Sequence, residues 1–335
     1  MFNDNATAGN ATLNGGDLGR VFFSNHSSAG NATISEIADG FIEFDDFSTA
    51  SNATIESFGI TISFNDSSQG GRAAIVLFPG FSGGGIRPGD LVIDHDLTIG
   101  SLEGDETARV GFTNLTIGSN NLSTSFAGAM GGGSLTKIGT GTLVLSGANT
   151  YTGNTNVNRG VLQVDGSVAS DTFVNPRGTL AGTGTINGNV MNNGKVSPGD
   201  SPGMLTVVHN YTQTQFATLM IQIAGPSTGD FGVLNVLGSA NLNGFLDPVL
   251  LNGFVPTIGD SFTFLNYASL TGEFSHIQHP VFDNGMLQWS VIYEANHAIL
   301  TVERHVPDQG STFLLMTLGL LGSVMYRRQL LRGQP

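Results

Sequence analysis

At 335 residues the chain is long enough for two globular domains or one extended repeat array, and its 39% hydrophobic content excludes a disordered chain although only 11% of residues are charged. A net charge of −14, with Lys137 and Lys195 as the two lysines, excludes nucleic acid as a partner, since no basic stripe offsets phosphate repulsion. Cysteine is absent, which removes disulfide staples and thiolate sites, while 48 glycines set among Asn, Thr and β-branched residues predict many short strands and tight turns.

Residues 1–133 open with an internal repeat. Phe2, Phe23, Phe44 and Phe64 are spaced 21, 21 and 20 residues apart, and Leu13, Ile34, Ile55 and Ile75 each come eleven residues later. Val21, Ile42 and Ile62 keep the same phase, as do "AGNAT" (8–12), "AGNAT" (29–33) and "ASNAT" (50–54). A period near 20 residues with alternating β-branched positions and no helical stripe fits one coil of a β-solenoid. Equivalent residues then stack about 4.8 Å apart. The expected structural ladder is a column of Phe2, Phe23, Phe44 and Phe64, with Asn10, Asn31 and Asn52 as an amide ladder that ends at Arg72. The chain begins in phase with this column, which predicts further coils before Met1.

Between 134 and 225 the period changes. "SLTKIGTGTLVLSGANTYTGNTNVNRGVLQVDG" (134–166) places Gly141, Thr142, Leu143, Leu145, Gly147, Asn149, Thr150, Tyr151, Gly153 and Thr155 before Gly160, Leu162 and Val164. This pattern closely resembles the autotransporter-associated β-strand repeat. "SPGDSPG" (197–203) and, in the segment 226–304, "GFVPTIGDSFTFLNYASLTGEF" (253–274) are similar to the stretches found after such repeats in autotransporter passengers. The resemblance implies an all-β, right-handed parallel β-helix exposed outside the cell. It departs from the family in that nothing after Glu303 reads as the alternating strands of a membrane barrel.

The tail, 305–335, reads differently. Fourteen mostly apolar residues, 313–326, reach about 21 Å as a helix, short of a hydrocarbon core near 30 Å. Leucines all round exclude a half-buried surface helix, and Arg327 and Arg328 close the stretch. A polar motif, a short apolar helix and a basic end together resemble the PEP-CTERM class of sorting signals in its Val-Pro-Asp-Ser-Gly form. Val306, Pro307, Asp308, Gly310, Ser311 and Thr312 match, with Gln309 in the usual Ser position. The resemblance implies an exosortase-type partner, a transient stay in the inner membrane by way of 313–326, and Arg327 and Arg328 as the basic stop on the cytoplasmic side; a lasting membrane anchor is the other reading of the same run.

Candidate chemistry is sparse. "DHD" (94–96) is the one dense titratable cluster, and Asp45, Asp46 and Asp66 fall near one column, where a solvated acidic turn is the simpler reading. "HIQH" (276–279) lacks the Glu of the zinc-protease motif, and the "GGG" runs precede no strand–helix unit that cradles phosphate. No residue set asks for a cofactor or a metal. The sequence therefore predicts an exported, non-enzymatic surface or extracellular solenoid of some ten rungs with a structural or adhesive role, a glycan or another cell being its contact. Two alternatives stand beside it. One is a β-helix carbohydrate-active enzyme with a carboxylate pair near Asp94 and Asp96; the other is a passenger fragment of an autotransporter lacking its barrel, with no processing at Pro307.

Overall fold

The computed structural model describes residues 1–306, apart from 16–18, 38–39, 83–84 and 200–201. The chain winds as a parallel β-solenoid in which each coil lays a short strand on each of three faces. The first face runs through Arg20–Phe23, Phe41–Phe44, Thr61–Phe64 and Asp90–Ile93, all paired in parallel. It continues along the starts of Arg109–Ile117 and Ala129–Lys137. A bond from the Thr150 N–H to the Met130 carbonyl then passes it to a sheet that begins at Ala148–Asn149 and includes Met204–Val207 and Val233–Val236.

Single bridges joining Thr7, Ser28, Thr49 and Gln69 start the second face, which broadens into full strands from Asp96–Ile99 to Ser269–Gly272. On the third face the ladder runs from Thr12–Asn14 through Thr54–Phe58, Thr142–Leu145 and Thr218–Ile223 to His276–Ile277. Within a strand every second side chain points inward, as in Thr218–Ile223, where Leu219, Ile221 and Ile223 are fully buried. Each such apolar side chain contributes about 1.5–3 kcal/mol by leaving water. Because all three faces point at one axis, the core is a single continuous file of these residues. The all-β parallel solenoid expected from the period is the fold observed, and it reaches at least the ten turns expected.

The corners explain the small residues. In "AGNAT" Ala29 and Ala32 are buried on the inside of the bend, and Gly30 takes φ +64°. A Cβ on Gly30 would meet the Gly9 carbonyl oxygen of the neighbouring coil at 2.7 Å. Ser51 holds the same place one coil on and adopts φ +51°, a left-handed conformation that costs a residue with a Cβ roughly 1 kcal/mol or more. The run at 131–133 is also a corner. Gly132 has φ +134°, and a side chain there would collide with the Phe112 carbonyl.

The far end is closed differently. Ser261–Asn266 pairs antiparallel with His297–Arg304, which pairs antiparallel with Leu287–Tyr293, and Val281–Phe282 adds a last short strand. Trp289 packs against Phe262 and Phe282, with ring centroids 6.0 and 4.7 Å away, and covers the end of the core. An alternating pattern with a period of two is common to parallel and antiparallel strands, so the sequence shows strands at 261–304 but not this change of direction. Among the described residues no helix is long and apolar enough to cross a membrane. The expected apolar helix at 313–326 lies outside the described residues.

Candidate functional site

The repeating columns come first. Phe2, Phe23, Phe44 and Phe64 stack with ring centroids 4.7, 4.8 and 4.8 Å apart and planes within 9° of parallel. The spacing is that of the strands, so each ring lies over its equivalent with full burial of Phe23, Phe44 and Phe64. At Ile93, in register with Phe64, the file becomes aliphatic. On an outer corner the Asn31 amide donates to Asn10 Oδ1 at 2.9 Å, and Asn52 donates to Asn31 Oδ1 at 3.1 Å. The Arg72 N–H bonds the Ser51 carbonyl one coil earlier.

A second corner carries the acidic residues. Asp4, Asn25, Asp46 and Asp66 recur there with φ between +56° and +60°, a conformation that Asn and Asp tolerate better than most residues. On this corner Asp4 accepts the Asn25 side-chain amide at 3.3 Å and Asp46 accepts the Asn25 N–H at 2.9 Å, while Asn65 Nδ2 reaches Asp45 at 2.7 Å and Glu43 at 2.9 Å. Burial, and then the neighbouring Asp45 charge, push the Glu43 carboxyl up. Among the described residues no three His, Asp or Glu side chains converge as a metal site would require. In "DHD", His95 Nδ1 lies 2.8 Å from Asp94 Oδ1, and its Nε2 lies 2.8 Å from the Ser68 carbonyl. Asp96 accepts the Asn114 amide at 2.7 Å. With both ring nitrogens engaged, His95 has none left to activate a hydroxyl nucleophile.

The "GANTYTG" segment is built around buried polar groups. Asn149 accepts the Met130 N–H and donates to the Gly147 and Ser167 carbonyls, tying three coils together at distances of 3.1–3.2 Å. Tyr151 is fully buried against Phe112, and its hydroxyl meets Thr155 at 2.7 Å, which meets Ser170 at 2.9 Å. Burial pushes both the Tyr151 and Tyr211 phenols well up.

Sequence reasoning missed the inward polar residues at the corner between the second and third faces, in a register column where Val157 and Val174 separate Lys137 from Asn192 and Gln213. Lys137, 1% exposed, points its ammonium at the carbonyls of Ile138 (2.6 Å), Arg159 (3.3 Å) and Gly139 (3.4 Å). Further along, Asn192 and Gln213 sit in register and share a network with Tyr211. The available signal was phase: Lys137 is two residues after Leu135, Asn192 two after Val190 and Gln213 two after Tyr211, all on inward positions.

Burial pushes the Lys137 ammonium down to about 8 from 10.5. The unfolded chain therefore holds more protons than the folded one between these values, and stability rises with pH through that window. The buried phenols oppose the rise above about pH 10, where unfolded tyrosines ionise. Denaturant midpoints measured from pH 7 to 10 are expected to climb in the parent chain. The difference between parent and Lys137→Met should lose its slope below pH 8, and a pH-independent difference throughout would refute the assignment.

The family model of the passenger-associated-transport-repeat matches residues 135–164, the segment that holds Lys137, Asn149 and Tyr151. The repeat body is passenger-like. An extracellular serine protease of Serratia marcescens is 42% identical over 101 residues, which is 30% of this chain and 10% of the relative. The adhesin BmaC autotransporter of Brucella suis biovar 1 (strain 1330) is 41% identical over 102 residues, 29% of this chain and 3% of the relative. A further extracellular serine protease of Serratia marcescens is 52% identical over 56 residues, 17% of this chain and 5% of the relative. The chain thus spans a tenth or less of the length of these relatives. These likenesses correct the expectation of a non-enzymatic protein: two of the three relatives carry the name of a protease. That expectation rested on scattered titratable residues, which describe one segment and not the longer proteins in which such segments occur. The same likenesses support an exported, secreted or cell-surface protein. Of the sorting motif, Val306 is described and 70% exposed, while Pro307, Asp308, Gly310, Ser311, Thr312, Arg327 and Arg328 lie outside the described residues.

Proposed function

We propose that this chain is the β-helical stalk of an exported passenger, a right-handed rod that holds a functional region away from the cell. The observation that carries this reading is the unbroken parallel ladder with a passenger-associated-transport-repeat at its centre. A rod of stacked coils offers every backbone group a partner in the next coil and leaves turns, not strand edges, along its length. Such a stalk suits a protease as well as an adhesin, the two kinds of protein named among the relatives. Contacts with glycans or neighbouring cells would be made by its polar corners.

For the tail we propose export-linked processing at Pro307 by an exosortase-type enzyme, on the order of parts at 306–335. A passenger fragment in a barrel-dependent system would keep its C-terminus instead. Labelling of intact cells that express the chain behind an export signal tests the stalk reading, which requires the body to be reached from outside. A body found wholly on the cytoplasmic side ends it. Mass spectrometry of the mature C-terminus, with and without an exosortase, separates the two accounts of the tail. An end near Pro307 that depends on the enzyme supports processing, and an intact Pro335 in both strains rejects it.

A further inference from the structure

Where the first face turns into the second, successive coils stack an acid and two amides. Asp171 Oδ1 accepts the Asn189 N–H at 2.7 Å and its side-chain amide at 3.0 Å. Asn189 Oδ1 accepts the Asn210 N–H at 3.2 Å and its amide at 3.1 Å, and Asn210 Oδ1 accepts the Ser239 N–H and hydroxyl at 3.0 and 2.7 Å. Along this ladder lies a cleft of about 300 Å³, whose walls also include Phe173 and Met191. Phe173, Met191 and Thr212 are outward residues in register on successive coils; Phe173 is half-buried and Met191 is 41% exposed.

We propose that this cleft binds a neutral linear polysaccharide, with a sugar ring resting on Phe173 and Met191 and its hydroxyls against the ladder. The ladder uses one carboxylate oxygen of Asp171 and one side-chain N–H each of Asn189 and Asn210, which leaves an acceptor and two donors for a ligand. A sugar hydroxyl both donates and accepts, and the carbon–hydrogen face of a pyranose suits the negative face of an aromatic ring. An apolar floor with a few convergent polar groups is the usual make-up of a small-ligand site. Charge decides which glycan fits. The mid-strand outward column of the second face, from Thr98 through Asn156, Phe173, Met191 and Asn241 to Thr271, holds only Thr, Asn, Phe and Met. The chain carries a net charge of −14 and the cleft wall holds a carboxylate, so uronates and sulfated glycans are repelled and an uncharged chain is not. A polymer lying along the rod meets hydroxyl or amide groups on most rungs, about 4.8 Å apart. The site gives the glycan contact of the exported stalk a place, and it rests on that reading for where rod and glycan meet, not for the binding itself.

Affinity electrophoresis of the full chain tests this, in native gels cast with hydroxyethylcellulose, galactomannan or dextran and, as the anionic control, polygalacturonate. At least one neutral polymer is expected to retard the chain, and polygalacturonate is not. Phe173→Ala should raise the dissociation constant read from mobility at least fivefold, while Phe173→Tyr should leave it within twofold. Met191→Glu, at an exposed position where folding is spared, should weaken binding as much as Phe173→Ala. Phe216→Ala removes a ring that is 77% exposed outside the cleft and should change nothing. Absence of retardation by every neutral polymer overturns the proposal. So does equal retardation by polygalacturonate, or binding that survives both Phe173→Ala and Met191→Glu. Surface labelling of the body is independent of these gels: a chain that is exported but binds no glycan keeps the stalk and loses the site.

Discussion

Phe44→Ala is expected to destabilise the N-terminal coils by about 3–5 kcal/mol, the usual cost of emptying a buried phenylalanine site. The upper part of that range applies because Phe44 has a partner on both faces, Phe23 and Phe64, each at 4.8 Å and nearly parallel. Neither neighbour can move into the gap, since the backbone ladders of Arg20–Phe23 and Thr61–Phe64 with Phe41–Phe44 hold the rings at strand spacing. Phe44→Leu keeps most of the volume and should cost about half as much. In a solenoid each coil contacts only its neighbours, so the damage should be local. Hydrogen exchange is the measurement. Amides in Phe41–Phe44 and Thr61–Phe64 should lose protection, while those of Thr218–Ile223 should keep theirs. An alanine variant within about 1 kcal/mol of the parent, or uniform loss along the rod, would show that the file of rings is not a structural column.

The second large effect concerns Gln213→Leu, a change of shape so small that an apolar core would scarcely register it. Gln213 Nε2 donates to the carbonyls of Asn243 (2.8 Å), Phe245 (2.9 Å) and Ala217 (3.3 Å), and its Oε1 accepts from Tyr211 at 2.6 Å. Its side chain is 2% exposed, so water cannot replace these bonds. Each buried group left without a partner costs roughly 1–3 kcal/mol, and the expected loss is about 3–5 kcal/mol. Gln213→Leu combined with Asn192→Leu should cost less than the two single losses added together, because the first change already strands part of the Asn192 network. Denaturant midpoints of the single and double variants decide this. A nearly neutral Gln213→Leu would mean that the corner is held by packing alone.

These two positions mark what one-dimensional reading reaches. Phe44 is legible because a solenoid converts sequence period into spatial stacking: residues 21 apart must lie one rung apart, and the rungs are evenly spaced. Gln213 is not legible in that way. Past residue 90 the coil length varies, so no fixed period relates it to Asn192, and a polar residue on an inward phase reads as a break in the pattern. Only the folded corner shows that backbone carbonyls turn inward there and need a donor. The same holds for Lys137, whose charge reads as surface until its three carbonyl partners are seen.

The amino-acid sequence by itself determined the architecture, because repeated phase, small corner residues and alternating strands leave a chain of this kind one way to bury a core. Tertiary structure decided the rest: which way the last strands run, which polar side chains are internal, and that His95 is bound on both sides. Those outcomes depend on contacts between coils of unequal length, and the free energy of such contacts is set by geometry in three dimensions that residue order does not encode locally.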